Sequence, residues 1–137
     1  HSTNWKNNIV KSDSFYKCLF NPVYGEGYPK AIYRSIASLC FFSRLNNDEL
    51  TERVFEIPAM GGLLLSERND RIKELFIEGK DVLLFSDKEE LLKHIYFLKE
   101  NPEKAEKIRL SGFKKVQENH TIFHRVAEAL KIINENI

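Results

Sequence analysis

Charge of one sign is the first thing this 137-residue chain lacks, because 21 Lys and Arg stand against 20 Asp and Glu for a net charge of +1. That balance supplies no field for gathering nucleic acid or an anionic membrane, so neither is expected as a partner. Cysteine is scarce as well. Cys18 and Cys40 are far apart and match no metal or redox spacing. Cys40, inside an apolar run, reads as a small buried hydrophobe, and an intracellular, cytoplasmic setting is expected. No apolar run is long enough for a transmembrane segment. The polar start, HSTNWKNNIVKSDS, has no signal-peptide core. It also has no initiator Met, from which we expect a piece excised from a longer protein. No internal repeat, low-complexity tract or GxGxxG is present, so dinucleotide binding has no support.

What is there is ordinary for a soluble globular protein: 42% hydrophobic and 30% charged residues. The length suits a single domain, 1–137, with one core. Residues 1–30 read as loop-rich, with one short strand at 16–20. Pro29 suits the first turn of a short helix ending near Ser35. Continuous apolar runs at 36–42, 62–66 and 82–85 read as strands covered on both faces. Between and after them lie helical patterns. One covers 51–60, with Pro58 interrupting its hydrogen bonds and Gly61 as its stop. Another covers 69–76, and a third, 87–100, repeats Leu91, Leu92, Ile95 and Leu98 at helical spacing. Pro102 opens a further helix with Ala105, Ile108, Gly112 and Val116 on one stripe. Thr121 caps the last, which carries Phe123, Val126, Ala127, Leu130 and Ile133.

Buried strands alternating with helices predict an α/β fold, a three-layer Rossmann-like parallel sheet flanked by helices. Ligands of such sheets sit beyond the carboxyl ends of the strands. That puts SRLNNDELTER (43–53) and SERND (66–70) at the functional edge.

Here the residues resemble a known family. RVFEIPAMGGLLLSE, IKELFIEGKDVLLF and EELLKHIYFLKENPEKAEKI follow one another in the order seen in the carboxyl-terminal domain of GT-B-fold glycosyltransferases, and of the CgeB-like branch most of all. SGFKKVQENHTIFHR is similar to the end of that domain, and HSTNW to a turn near its start. The resemblance spans nearly the whole chain. It implies the donor-binding, carboxyl-terminal half of a GT-B fold, which takes a nucleotide-diphosphate sugar and acts with an amino-terminal acceptor-binding domain. It implies hexosyl transfer to an acceptor bound by that other domain. No metal or other cofactor is expected. This half alone is expected to bind weakly and not to catalyse.

The resemblance also assigns residues. Glu56 matches the glutamate that accepts from the donor ribose hydroxyls, as one carboxylate can from two adjacent O–H groups. Asp48 stands where many relatives have a second glutamate, one methylene longer. Thr51 and Arg53 match the T-R before Glu56. A guanidinium beside the N–H groups of a helix start suits a diphosphate, and makes Arg53 a stabiliser of the departing nucleoside diphosphate. The basic residue that many relatives carry after the first strand has no counterpart.

Each of these residues also has a plainer reading. Glu56 reads equally as an exposed helical glutamate. Arg53, four after Glu49 and three before Glu56, reads as part of a surface ion-pair ladder. Asp48 suits a turn or cap in NNDE. The Gly61-Gly62 pair reads as a helix stop and close packing, without a ligand. His120 and His124 share a helical spacing but have no third ligand beside them, and Asn119-His120-Thr121 is a glycosylation sequon with no meaning in the cytoplasm. Trp5, Tyr24 and Tyr28 suit packing under a loop. The rival to a transferase is a non-catalytic nucleotide- or partner-binding Rossmann-like module, which the shortened Asp48 and the absent basic residue favour.

Overall fold

Apolar runs too short for helices form the sheet. In the computed structural model, which describes residues 14–18 and 20–136, three strands pair in parallel in the order β1-β2-β3: β1 (Ser38–Cys40), β2 (Leu64–Glu67) and β3 (Leu83–Phe85). Ser38 pairs with Leu64, and Leu65 with Leu83. The helices are α1 (Gly27–Arg34), α2 (Arg53–Ala59), α3 (Asp70–Leu75), α4 (Lys88–Glu100), α5 (Pro102–Asn119) and α6 (Ile122–Glu135). The chain divides into two compact units, 1–31 and 32–137, and the second holds the sheet. It is the Rossmann-like α/β arrangement that the alternating pattern predicts.

Strand side chains alternate, so the sheet makes two cores. Cys40, Leu64, Val82 and Leu84 meet Val54, Ile57, Ile72 and Val116 on one face. Leu63, Leu65, Leu83 and Phe85 meet Leu98 and Ile108 on the other. Each fully buried leucine contributes about 1.5–3 kcal/mol over an exposed one.

Helix α2 ends as its glycines dictate. Gly61 adopts φ +72, and the Gly61 and Gly62 amides donate to the carbonyls of Pro58 and Ile57 at 2.9 Å each. This is a Schellman closure, with the left-handed residue directly after the cap. The amide that Pro58 lacks would have bonded within a seven-residue helix, and its ring is instead buried. Helix α5 contributes to both cores, with Ile108 in one and Val116 in the other. Gly112 lies between them, and a Cβ there would sit 2.4 Å from the Asp81 carbonyl oxygen. Asp81 is itself buried. It accepts from the Ile77 amide (2.9 Å) and the Ser111 hydroxyl (2.6 Å), which ties α5 to the turn before β3.

Two expectations are corrected. Residues 14–18 form a 3-10 helix, where a strand at 16–20 was expected. A short polar-flanked segment becomes a strand only with a neighbour to pair with, and no described strand pairs there. The run 36–42 shortens to Ser38–Cys40 and is not covered on both faces, since Leu39 is 43% and Phe41 55% exposed. Among the described residues β1 and β3 are both outermost in the sheet, yet β3 is buried throughout, so it is the cover over β1 and not its edge position that is incomplete. Helix α6 has its predicted cap, a box between Thr121 and His124; its apolar stripe, on whose burial the sequence made no prediction, is exposed, with Phe123 at 82%. HSTNW and Trp5 lie outside the described residues. Tyr24 is exposed and Tyr28 half-buried.

His120, at the end of α5, stacks against Phe55 and Phe76 with ring centroids 5.4 and 5.5 Å away. Burial holds its pKa below the usual value of 6.5, and Arg125 and Lys115 act in the same sense. The unfolded chain therefore binds the proton more readily, and stability falls as pH drops below about 6.5. Thermal melts at pH 7.5 and 5 should show this loss, and His120→Phe should reduce it.

Candidate functional site

The chain leaves the carboxyl end of β1 through residues 41–52 and enters α2. Asn47 takes φ +54, a conformation asparagine tolerates, and the Asp48 amide donates to the Ser43 carbonyl at 3.2 Å. All four predicted site residues lie on this one stretch. Asp48 is half-buried in the loop. Thr51 is half-buried before the helix, its Oγ1 3.6 Å from Cys40 Sγ. Arg53 is the first residue of α2 and exposed, and Glu56 is half-buried one turn later. The side chains of Asp48, Arg53 and Glu56 make no hydrogen bond or ion pair with any described residue, nor with one another. The expected ladder from Glu49 through Arg53 to Glu56 is therefore not formed.

The neighbouring edge is the opposite case. At the end of β2, Ser66 Oγ donates to the Cys40 carbonyl (3.3 Å), and Glu67 Oε2 accepts from the Phe42 amide (2.8 Å). Asn69 Nδ2 donates to the Glu49 carbonyl (2.8 Å) while its Oδ1 caps α3 by accepting from the Ile72 amide (2.9 Å). Arg68 reaches across to the β3–α4 turn. Its guanidinium donates to both carboxylate oxygens of Glu90 at 2.7 and 2.8 Å, to Ser86 Oγ at 2.6 Å, to the Leu84 carbonyl at 3.2 Å and to Glu78. A surface cavity of about 450 Å³ lies here, lined in part by Glu49, Arg68, Asn69, Lys73 and Ser86. Its cations are already matched: Arg68 as above, Arg71 by Glu74 at 2.6 Å and Lys73 by Asp70 at 3.3 Å.

Asp48, Arg53 and Glu56 thus lie unengaged on the stretch that follows β1, at the end of the sheet beyond which ligands of parallel α/β folds sit. The glycosyl transferase-like family matches the chain over residues 1–131. The chain belongs to that family. No curated protein and no solved structure matches it. Family membership supports glycosyl transfer as this protein's general role. Among the described residues of this glycosyl transferase-like protein, no helix is long and apolar enough to cross a membrane.

Sequence reasoning put SERND at this edge without naming what its residues do. The only signal available was position, a polar turn directly after a strand. Arg68, Glu67 and Asn69 act through partners 10 to 25 residues away, which no local pattern shows. No group of three or more His, Cys, Asp or Glu among the described residues has the placing to hold a metal ion. His124 Nδ1 is 2.7 Å from Thr121 Oγ1, as a cap.

Arg68 and the Ser86 amide hold the Glu90 carboxyl at about 2, down from 4.5. Because the folded-state value is the lower one, the stabilisation is present above about pH 4.5 and is lost as pH falls toward 2. Glu90 is 30% exposed, so screening leaves about 1–2 kcal/mol of it. Urea titrations should show Glu90→Gln destabilised by that amount at pH 7 and by little at pH 2.5.

Proposed function

We propose that this chain is the donor-binding, carboxyl-terminal half of a two-domain GT-B-fold glycosyltransferase of the CgeB-like branch. In this reading it is one domain, 1–137, of a longer protein. It binds a nucleotide-diphosphate sugar, and the acceptor and the group that activates it belong to an amino-terminal domain. The observation that carries the reading is the contrast along the sheet edge. Arg68, Arg71 and Lys73, beyond the end of β2, are matched within the protein, whereas Asp48, Arg53 and Glu56 are not. Two carboxylates and a guanidinium on one stretch at the carboxyl end of the sheet suit a ligand that carries hydroxyls and a diphosphate.

Each group then has a task. Glu56 accepts from the two ribose hydroxyls. Arg53 lies against the diphosphate, and as the bond from the sugar carbon to the phosphate oxygen breaks, its fixed charge stabilises the negative charge that grows on the leaving group. Thr51 adds a hydroxyl beside the phosphates, and Asp48 approaches the sugar. No step in this scheme requires a metal of the domain's own. Activity is expected only with the acceptor-binding domain present.

Titration with UDP, GDP, ADP and CMP, followed by amide chemical shifts, tests the site. One nucleotide should move residues 48–56, and Glu56→Ala should abolish the movement. Four flat titrations at millimolar nucleotide, where a site worth about −4 kcal/mol is half filled, would discard the donor reading. A non-catalytic module remains the second reading, supported by Arg53 being the only unmatched cation on the 48–56 segment.

A further inference from the structure

We infer that Glu67 and Asn69 are positioning residues, which fasten the two ends of the 43–50 loop and thereby set where Asp48, Thr51 and Arg53 meet the donor. The inference rests on the donor reading above. The loop does little to order itself. Arg44, Leu45, Asn46 and Asn47 are all exposed, with Leu45 at 99%. Its internal bonds are the Asp48 amide to the Ser43 carbonyl (3.2 Å) and the Asn46 amide to Ser43 Oγ (3.3 Å), both near the long end of the hydrogen-bond range. Shorter bonds come from outside it. Glu67 takes the Phe42 amide and Asn69 the Glu49 carbonyl, each at 2.8 Å. Two residues apart on one extended segment, they hold the loop where it begins and where it turns into α2.

The Asn69 amide does two separable things. Its oxygen caps α3 and its nitrogen holds the loop, and no other orientation of the amide satisfies both Ile72 N–H and Glu49 C=O. Asn69→Asp keeps a capping oxygen and replaces the donor by a second oxygen facing the carbonyl. Asn69→Ser also keeps a good cap, but it is too short to reach Glu49. Unfastened, the loop would have to be ordered by the ligand, and that cost would appear in affinity.

The test uses the 137-residue chain with UDP, GDP, ADP and CMP, reading affinity, melting temperature and exchange of the Phe42 and Asp48 amides. Asn69→Asp and Glu67→Ala should weaken the nucleotide that the parent chain takes by about tenfold and speed amide exchange, with little change in melting. Glu67→Gln keeps an acceptor for Phe42 and should bind like the parent. Should Asn69→Asp fold poorly, Asn69→Ser replaces it with its cap intact. Affinity unchanged in the loosened variants overturns the positioning role and leaves the donor reading standing. A parent chain that takes none of the four nucleotides overturns both, even where exchange shows the loop loosened.

Discussion

Replacing Glu56 by alanine should weaken nucleotide binding by one to two orders of magnitude while leaving the fold intact. The carboxylate has no partner among the described residues, so its removal orphans no group inside the protein. In the complex it is expected to accept two hydroxyl donors. A hydrogen bond to a charged group contributes about 1.5–3 kcal/mol, and each 1.4 kcal/mol is tenfold in affinity. Glu56 is half-buried on α2, and a surface change away from caps and cores moves stability by about 0.5 kcal/mol or less. Calorimetric titration beside a thermal melt separates the two effects. A large loss of melting temperature with unaltered affinity would make Glu56 a structural residue and remove the principal contact of the proposed site.

The second large effect is on stability and lies away from the site. Gly112→Ala should destabilise the protein by about 1–3 kcal/mol, the range for forcing extra volume into a packed contact. The added Cβ would lie 2.4 Å from the Asp81 carbonyl oxygen, a backbone atom that cannot turn aside, and 3.7 Å from Pro58 Cβ. To relieve the contact, α5 must lift from the turn before β3. That would strain the Ser111–Asp81 hydrogen bond and the packing of Ile108 and Val116 on either side. Alanine ordinarily favours a helix over glycine by about 1 kcal/mol, so propensity predicts the opposite sign. Urea unfolding decides. A stabilised variant would mean that α5 is not held as tightly as the contact implies.

The residues also show how far a sequence can be read. Helix α5 starts at Pro102 and α6 is capped by Thr121, while Asn69 and Asp87 cap α3 and α4, because capping chemistry is local and its partners lie within three or four residues. The stop at Gly61 was legible for the same reason. The run 36–42 has the continuous hydrophobicity of a doubly covered strand, and hydrophobicity alone does not say what covers each face. Only the tertiary structure shows that Leu39 and Phe41 are exposed while β3, equally outermost among the described strands, is buried. The stripe on α6 has the periodicity of a buried helix and is exposed, since periodicity reports that a face is apolar and not what covers it.

At the site, the sequence by itself determined the segment. Asp48, Thr51, Arg53 and Glu56 stand in one short stretch after a strand, beside the ordered segments from RVFEIPAMGGLLLSE onward that carry the family resemblance. It could not say which of the charges there are engaged. The ladder proposed for Arg53 and the freedom of Glu56 are both consistent with the same letters, and the structure decides between them because ion pairing depends on side-chain direction as well as spacing. Nor could it place Glu67, Arg68 and Asn69, whose partners lie on the neighbouring strands' loops. Short-range rules of capping, period and turn chemistry act within a few residues and can be read along the chain. Edges, coverage and long-range anchors come into being only when parallel strands bring distant loops to the same end of the sheet.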